Sequence, residues 1–142
     1  MLKKACVMFW LCGCLYVLLE IWFRGRSHIS MFFAGGVSAA CIFCCCGYGK
    51  LQKMWLPVKC IFGSMVITLV ELATGIVVNL WLQLQVWDYS DLPMNLWGQI
   101  CLPFSAAWFF LTIPILGFGK ILQPSKAATK REMPASPSSS GE

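Results

Sequence analysis

Four long apolar stretches constrain the fold of this chain more than any other feature of its sequence. They occupy residues 5–23, 29–49, 56–81 and 96–122 of a chain of 142 residues. A helix of about 20 apolar residues crosses the roughly 30 Å hydrocarbon core of a bilayer. Only 12% of the residues are charged, about half of the share found in soluble domains. The sequence therefore predicts an all-α integral membrane protein, a bundle of four transmembrane helices.

The distribution of lysine and arginine predicts how these helices are oriented. With four spans, the N-terminus, the second loop and the C-terminal segment share one side, which holds nine of the eleven basic residues. Arg24 and Arg26, in the first loop of the opposite side, are the other two. Because basic flanks stay in the cytoplasm, we expect a multi-pass protein of the cell (plasma) membrane with both termini cytoplasmic. The basic residues flank apolar segments, so their expected partner is the lipid bilayer and not a nucleic acid.

The two ends of the chain differ in composition from the spans. After Pro124 the sequence is rich in serine, alanine, proline and charge, with nothing to bury. We therefore expect a membrane domain at residues 1–123 and a disordered cytoplasmic tail at residues 124–142.

At the start of the chain, Lys3 and Lys4 before an apolar run also suit a signal peptide. The run continues nine residues past Cys14 without a cleavage site, which favours a span.

Nine cysteines raise the question of disulfides or a metal site. Eight of them fall in the predicted cytoplasmic halves of the helices, on a reducing side where structural disulfides are rare. Cys41, Cys44 and Cys45 have helical spacing that could bring thiolates together, with Cys60 on the third helix near them. Zinc sites usually show paired C-x-x-C motifs or nearby histidines, and His28 lies at the opposite end. We favour small packing residues and predict no metal and no cofactor.

Two carboxylates lie inside the apolar segments, where ionisable groups are functional candidates. Such a group costs about 2.5–3.5 kcal/mol at a helix centre. Glu71 follows Lys59 by 12 residues, about 18 Å along a helix, and so lies near the midplane. Glu20 lies near the outer interface. Around Glu71, small and polar residues recur on one helical face, which predicts packing against other helices: Ser64, Thr68, Glu71, Gly75 and Asn79.

These residues and their neighbours predict a polar pocket in the outer half of the bundle. Arg24 or Arg26 would neutralise Glu71, and Glu20 lies four residues before Arg24, close enough to pair with it on one helix face. The third loop, residues 83–95, has two carboxylates and no cation. It either caps the bundle or forms an ordinary interfacial loop, anchored by Trp81, Trp87, Tyr89 and Trp97. The predicted substrate-binding residues are Glu71, Arg24, Arg26, Asn79, Asp88, Asn95, Glu20 and His28.

The sequence carries no recognisable catalytic constellation. Its only histidine has no partner that could act as a nucleophile beyond Ser27 and Ser30. Residues 117–120 lack the glycine spacing and the serine or threonine of a phosphate-binding loop. We therefore expect a protein that is not an enzyme and that does not hydrolyse ATP itself.

Three blocks covering most of residues 20–110 carry a family resemblance. Residues 24–32 are Arg-Gly-Arg-Ser-His-Ile-Ser-Met-Phe, with two glycines following at 35 and 36; residues 67–80 form the segment around Glu71; and residues 86–105 begin Val-Trp-Asp-Tyr-Ser-Asp-Leu-Pro. Together they resemble the small bacterial membrane proteins of the family "Putative ABC-transporter type IV". The resemblance implies a permease-like protein with ABC-type partner subunits. After the fourth helix the chain departs from the family pattern, since Gly117-Phe118-Gly119-Lys120 and a serine-rich segment replace an acidic, arginine-containing end.

Two functions follow as hypotheses. The first is a small permease-like transport component with an outward-side polar pocket around Glu71. Because four helices enclose little volume, it would need a homo-oligomer or a partner subunit. The alternative is a non-transporting membrane scaffold or accessory protein, in which the same buried polar cluster fixes the packing of the helices.

Overall fold

A computed structural model describes residues 1–123 of the chain, and four long helices dominate it. The second and the third of these helices continue as π-helical segments at Cys44–Tyr48 and Ile76–Trp81. In this part of the chain, four helices are long and apolar enough to cross a membrane, which confirms the predicted four-helix membrane fold. The predicted tail, residues 124–142, lies outside the described residues. The helices are α1 Leu2–Arg24, α2 Ile29–Phe43, α3 Leu56–Gly75 and α4 Leu102–Leu122.

The loop between α2 and α3 holds a short 3-10 helix, Lys50–Lys53. We call this end of the bundle the inner end, because it is the end predicted to face the cytoplasm. The opposite end, the outer end, carries the short α1–α2 connection and the long segment between α3 and α4. These names follow the orientation predicted from the distribution of lysine and arginine.

The fourth helix begins at Leu102, six residues later than the predicted span at 96–122. Two short strands, β1 Asn95–Leu96 and β2 Ile100–Cys101, pair antiparallel just before it. Trp97 and Gly98, in the connection, have φ values of 53° and 67°, a left-handed conformation that reverses the chain. Hydropathy missed this boundary because the apolar run continues through the hairpin. Pro103 in the first turn of α4 marks the true start.

The helices pack through small residues at their closest approaches. α1 runs along α2, α3 runs along α4, and α2 contacts both α3 and α4, whereas α1 and α4 touch only sparsely. A Cβ atom on Gly13 of α1 would lie 2.8 Å from the carbonyl oxygen of Phe32 on α2. Only glycine therefore allows α1 and α2 to approach this closely, as is common in membrane helix pairs.

The outside of the bundle is apolar and the inside holds three small clusters. Trp22, Phe110 and Ile121 are 81%, 67% and 79% exposed, which suits contact with lipid. The inner cluster includes Met8 and Phe43. The central cluster contains Ile42, Ile67 and Trp108, and the outer cluster contains Met31, Trp87 and Tyr89.

Candidate functional site

Glu71 lies on α3 with only 4% of its surface exposed, and both of its carboxyl oxygens accept hydrogen bonds. The Tyr89 hydroxyl donates to Oε1 at 3.0 Å, and the Trp108 Nε1–H donates to Oε2 at 2.9 Å. Because Tyr89 belongs to the segment before α4 and Trp108 belongs to α4, the carboxyl group connects three parts of the fold. In residues 1–123 the one salt bridge joins Arg24 to Glu20. The expected ion pair of Glu71 with Arg24 or Arg26 is therefore wrong.

The two donors are held in place by aromatic packing. The Tyr89 ring stacks on Phe104, with centroids 4.7 Å apart and planes 19° from parallel, and Phe104 in turn contacts Trp108 with centroids 5.9 Å apart. Burial is the main cause that raises the pKa of Tyr89, and the neighbouring Glu71 raises it further. The phenol therefore stays protonated and acts as the donor. Sequence reasoning missed both partners. Tyr89 was expected at the interface, and Trp108 looks like any other aromatic residue of an apolar span.

Asn79, in the π-helical end of α3, holds the segment before α4 against the bundle. Its Nδ2 donates to the Trp87 carbonyl at 2.9 Å and to Gln99 Oε1 at 2.8 Å, and its Oδ1 accepts from the Val86 N–H at 2.7 Å. Trp87 is 2% exposed, and its indole N–H donates to the Gln99 carbonyl at 2.9 Å. With both donors and its oxygen engaged, Asn79 positions the loop rather than a ligand.

Asp88 and Asn95 organise the exposed turn of the same segment. Asp88 Oδ1 accepts hydrogen bonds from the hydroxyl and the N–H of Ser90, which lower the pKa of Asp88. The Asn95 amide donates to the carbonyls of Ser90 and Leu92, and its oxygen accepts from the Gly98 N–H at 3.2 Å. All of these partners lie within the turn itself, so these two predicted site residues shape the loop.

A second polar cluster lies at the outer end of α1. Arg24 Nη1 donates to Glu20 Oε1 at 2.8 Å, which confirms the predicted pair, and the Ser27 hydroxyl donates to Oε2 at 2.6 Å. Arg24 Nη2 also donates to the Val86 carbonyl at 3.1 Å. His28 caps α2, since its Nδ1 accepts from the Ser30 N–H at 3.2 Å. This cluster therefore ties the ends of α1 and α2 to the segment before α4.

The predicted site residues do not form one pocket. Glu20, Arg24, Arg26 and His28 line a cavity of about 180 Å³ at the outer end. Glu71 lines a separate cavity of about 310 Å³ deeper in the bundle. Neither of these two cavities is lined by Asn79, Asp88 or Asn95. The predicted set is thus divided among two cavities, the π-helical end of α3 and the loop between α3 and α4.

The cavity beside Glu71, called here the Glu71 cavity, lies among all four helices, and α3 contributes Ile67 and Glu71 to its lining. Apart from Tyr16, Ser38 and Glu71, the side chains that line it are apolar residues and Cys12. The predicted outward polar pocket around Glu71 is thus a largely apolar cavity inside the membrane domain. Among residues 1–123, no lysine, arginine or histidine belongs to its lining.

The cysteines are all present as free thiols. Cys12, Cys46, Cys60 and Cys101 are buried, and the others are partly or fully exposed. In residues 1–123 no three His, Cys, Asp or Glu side chains are grouped so that they could hold a metal ion. The helical spacing of Cys41, Cys44 and Cys45 therefore does not produce such a group.

The fold and the site define a multi-pass α-helical membrane protein with a carboxyl group buried inside its membrane domain. The chain belongs to the family described as "Putative ABC-transporter type IV", whose model matches residues 5–135. This match confirms the resemblance carried by the three sequence blocks. Comparisons with curated proteins and with solved structures gave no match.

Proposed function

We propose that this protein is a membrane component of a transport system and that the Glu71 cavity is its substrate site. The observation that carries the proposal is the cavity of about 310 Å³, inside the membrane domain and next to a buried carboxyl group. Ionisable residues within spans usually line pathways for ions or substrates. Small-molecule sites are typically apolar cavities of about 300–1,000 Å³ with a few polar groups, which describes this cavity.

The protein would work with partner subunits and not as an enzyme. The family description names an ABC-type transporter, and the sequence offers no phosphate-binding loop that could couple ATP hydrolysis to transport. A separate ATPase subunit, a second permease or further copies of this chain would complete the transporter. The inner end, with Lys59 and Lys120 beside a cavity of about 260 Å³, is the side on which a cytoplasmic ATPase would bind.

A plasma-membrane location with both termini in the cytoplasm belongs to this proposal. It is supported by the excess of lysine and arginine at the inner end. Reporters fused after Glu142 and within residues 88–95 test the orientation. We expect a cytoplasmic signal from the first fusion and an external signal from the second, and a cytoplasmic signal from the loop fusion would contradict the orientation.

A scaffold function is the second candidate, and one observation favours it. Glu71 accepts a hydrogen bond from the loop at Tyr89 and another from α4 at Trp108, so it also joins separate parts of the fold. The two functions separate in the Glu71→Gln variant. Glutamine can accept from the Trp108 N–H and donate to the Tyr89 hydroxyl, which keeps both connections but removes the carboxyl group.

The test is extraction of the tagged protein from its native membrane in mild detergent, with quantitative mass spectrometry of the proteins that accompany it. We expect an ATPase or a second permease in a stoichiometric amount. Recovery of the chain without any such subunit would contradict the ABC-type assembly.

The same extraction of Glu71→Gln distinguishes transport from a scaffold function. We expect the variant to accumulate and to keep its partner, while the reconstituted complex loses its activity. If Glu71→Gln instead accumulates, keeps its partner and retains full activity, the two hydrogen bonds and not the carboxyl group are what the protein needs, and the scaffold function is favoured.

A further inference from the structure

Three of the side chains that line the Glu71 cavity are also exposed at the outside of the bundle. Leu15 and Leu19 of α1 and Phe118 of α4 line the cavity and are also 42%, 43% and 38% exposed at the outside. α1 and α4 touch only sparsely. All three residues belong to membrane spans, and Leu15 lies away from the ends of α1, so we infer that the surface between α1 and α4 faces hydrocarbon. A molecule dissolved in the acyl-chain layer could reach Glu71 without crossing water.

Three side-chain groups in the cavity can accept hydrogen bonds from a ligand. A carboxylate offers about four lone-pair sites, and the two donors of Glu71, Tyr89 and Trp108, occupy one on each oxygen. The hydroxyl groups of Tyr16 and Ser38 line the same cavity. Within residues 1–123, neither hydroxyl forms a side-chain hydrogen bond, and neither is a fully enclosed polar atom without a partner. They are therefore open to the cavity and available to a ligand.

The charge and size of the cavity restrict the ligand further. No basic side chain of the described part of the chain lines it, so these residues offer an anionic headgroup no counter-charge. A volume of about 310 Å³ lies at the lower end of the range for ligand pockets. It suits one alkyl chain or a small ring system and is too small for a two-chain phospholipid. The ligand that these features describe has an apolar body and a single cationic, hydrogen-bond-donating group.

We propose that the Glu71 cavity binds a small lipophilic amine, which enters from the hydrocarbon layer between α1 and α4. An ammonium group has three N–H donors, which the Glu71 carboxyl and the hydroxyls of Tyr16 and Ser38 can accept. The apolar lining holds the body of the amine. This inference rests on the proposed function, because it assigns a ligand class to the cavity taken as the substrate site.

Photolabelling of the full chain in phosphatidylcholine nanodiscs tests the ligand class. The probe is a decylamine that carries a diazirine in its chain, and the matched neutral probe is the corresponding decanol. We expect the amine to label residues 15–19 of α1 and 111–118 of α4, and unlabelled decylamine to compete about ten-fold better than decanol, as a charge-assisted hydrogen bond implies. In Glu71→Gln, which keeps both hydrogen bonds of the site, this preference should fall to about one.

The route of entry is tested with two tryptophan variants of α1. Leu19→Trp places a bulky side chain at the proposed entry, whereas Leu18→Trp changes a residue that is 61% exposed to lipid and does not line the cavity. We expect labelling to fall several-fold in Leu19→Trp and to be unchanged in Leu18→Trp. Equal labelling of the two variants would overturn the proposed entry between α1 and α4.

Two further outcomes would overturn the ligand class. If amine and alcohol compete equally in the wild-type protein, the cavity accepts an acyl chain and the carboxyl group plays no part. If the labels map outside the cavity, the amine binds elsewhere. Since the assay needs no partner subunit, the two proposals can fail separately. Amine preference in a chain that is extracted without partners leaves the ligand class standing and removes the transport assembly. A co-purifying ATPase, found for a chain that shows no preference for the amine, would support the transport assembly and remove the proposed ligand class.

Discussion

Two carboxyl groups are buried within the helices of this membrane protein, and they are satisfied in different ways. Glu20, at the outer end of α1, is 6% exposed and pairs with the Arg24 guanidinium at 2.8 Å. Glu71, in the middle of the bundle, is 4% exposed and accepts hydrogen bonds only from the neutral groups of Tyr89 and Trp108. The first site adjoins a cavity lined by cationic side chains, and the second adjoins a cavity without any.

This difference indicates that Glu20 has a structural role and that Glu71 belongs to a candidate binding site. The Glu20 carboxylate has its counter-ion four residues along the same helix, and Arg24 also bonds to the Val86 carbonyl, so the pair fastens α1 to the loop. Glu71 is held in place by two donors but keeps free acceptor sites and no counter-ion among residues 1–123. A ligand can supply a counter-ion to Glu71, whereas Glu20 already has one in Arg24. We therefore assign binding to Glu71 and packing to Glu20.

Replacing Glu71 by leucine should have the largest effect on stability. In Glu71→Leu, the Tyr89 hydroxyl and the Trp108 N–H lose their acceptors, and each buried unpaired group costs about 1–3 kcal/mol. We expect the free energy of unfolding to fall by about 2–6 kcal/mol, measured by denaturant titration in detergent micelles. The control Glu71→Gln should stay within about 1 kcal/mol of wild type, since its amide oxygen can accept from the Trp108 N–H and its NH2 can donate to the Tyr89 oxygen. A Glu71→Leu protein as stable as wild type would show that the two donors do not depend on this carboxyl group.

Removing the other carboxyl group should cost less. In Glu20→Leu, the Arg24 side chain keeps the Val86 carbonyl as an acceptor and is 28% exposed, so water can solvate its charge. We expect a loss of about 1–2 kcal/mol, discounted for this solvent access, in the same unfolding assay. Amine labelling of the Glu71 cavity should be unchanged. A decrease in the free energy of unfolding as large as that of Glu71→Leu would contradict the proposed difference between Glu20 and Glu71.

Removing one donor from Glu71 should have a smaller effect still. In Tyr89→Phe, the ring can remain stacked on Phe104 while the hydrogen bond to Oε1 is lost, at a cost of about 1 kcal/mol. The matched control is Tyr48→Phe, because Tyr48 is 39% exposed and lies at the inner end. Its stability should equal that of wild type. If Tyr89→Phe is also neutral, the Tyr89 hydroxyl does not help to fix Glu71.

The smallest effect is expected at the edge of the Glu20 cluster. Ser27→Ala removes the hydroxyl that donates to Glu20 Oε2 at 2.6 Å, but Arg24 stays bound to Oε1 and interfacial water can replace the hydroxyl. We expect a loss of about 0.5 kcal/mol, measured alongside Glu20→Leu. A loss above about 2 kcal/mol would mean that Ser27, and not Arg24, is the main partner of Glu20.

Sequence patterns predicted the features that depend on local spacing. The lengths of the apolar runs identified four membrane-spanning helices, and the four-residue interval predicted the Glu20–Arg24 pair. The start of α4 escaped prediction because Leu96, Ile100 and Cys101 of the preceding hairpin extend the apolar run of the helix. Hydropathy cannot separate the two, although Pro103 marks the boundary.

The partners of Glu71 could not be predicted from local spacing. Tyr89 and Trp108 lie 18 and 37 residues away in the chain, and neither differs in the sequence from an interfacial or lipid-facing aromatic residue. Arg24 or Arg26 was the expected partner because charge complementarity is the strongest signal available to sequence reasoning. Arg24 instead pairs with the carboxylate one helical turn away, a contact that requires no long-range arrangement of the chain.

The most direct test of this account is a parallel measurement of decylamine and decanol binding to wild type, Glu71→Gln and Glu20→Gln in phosphatidylcholine nanodiscs. We predict that wild type and Glu20→Gln bind the amine about ten-fold more tightly than the alcohol, as a charge-assisted hydrogen bond implies, and that Glu71→Gln does not distinguish them. Loss of the preference in Glu20→Gln with retention in Glu71→Gln would contradict the assignment of binding to Glu71.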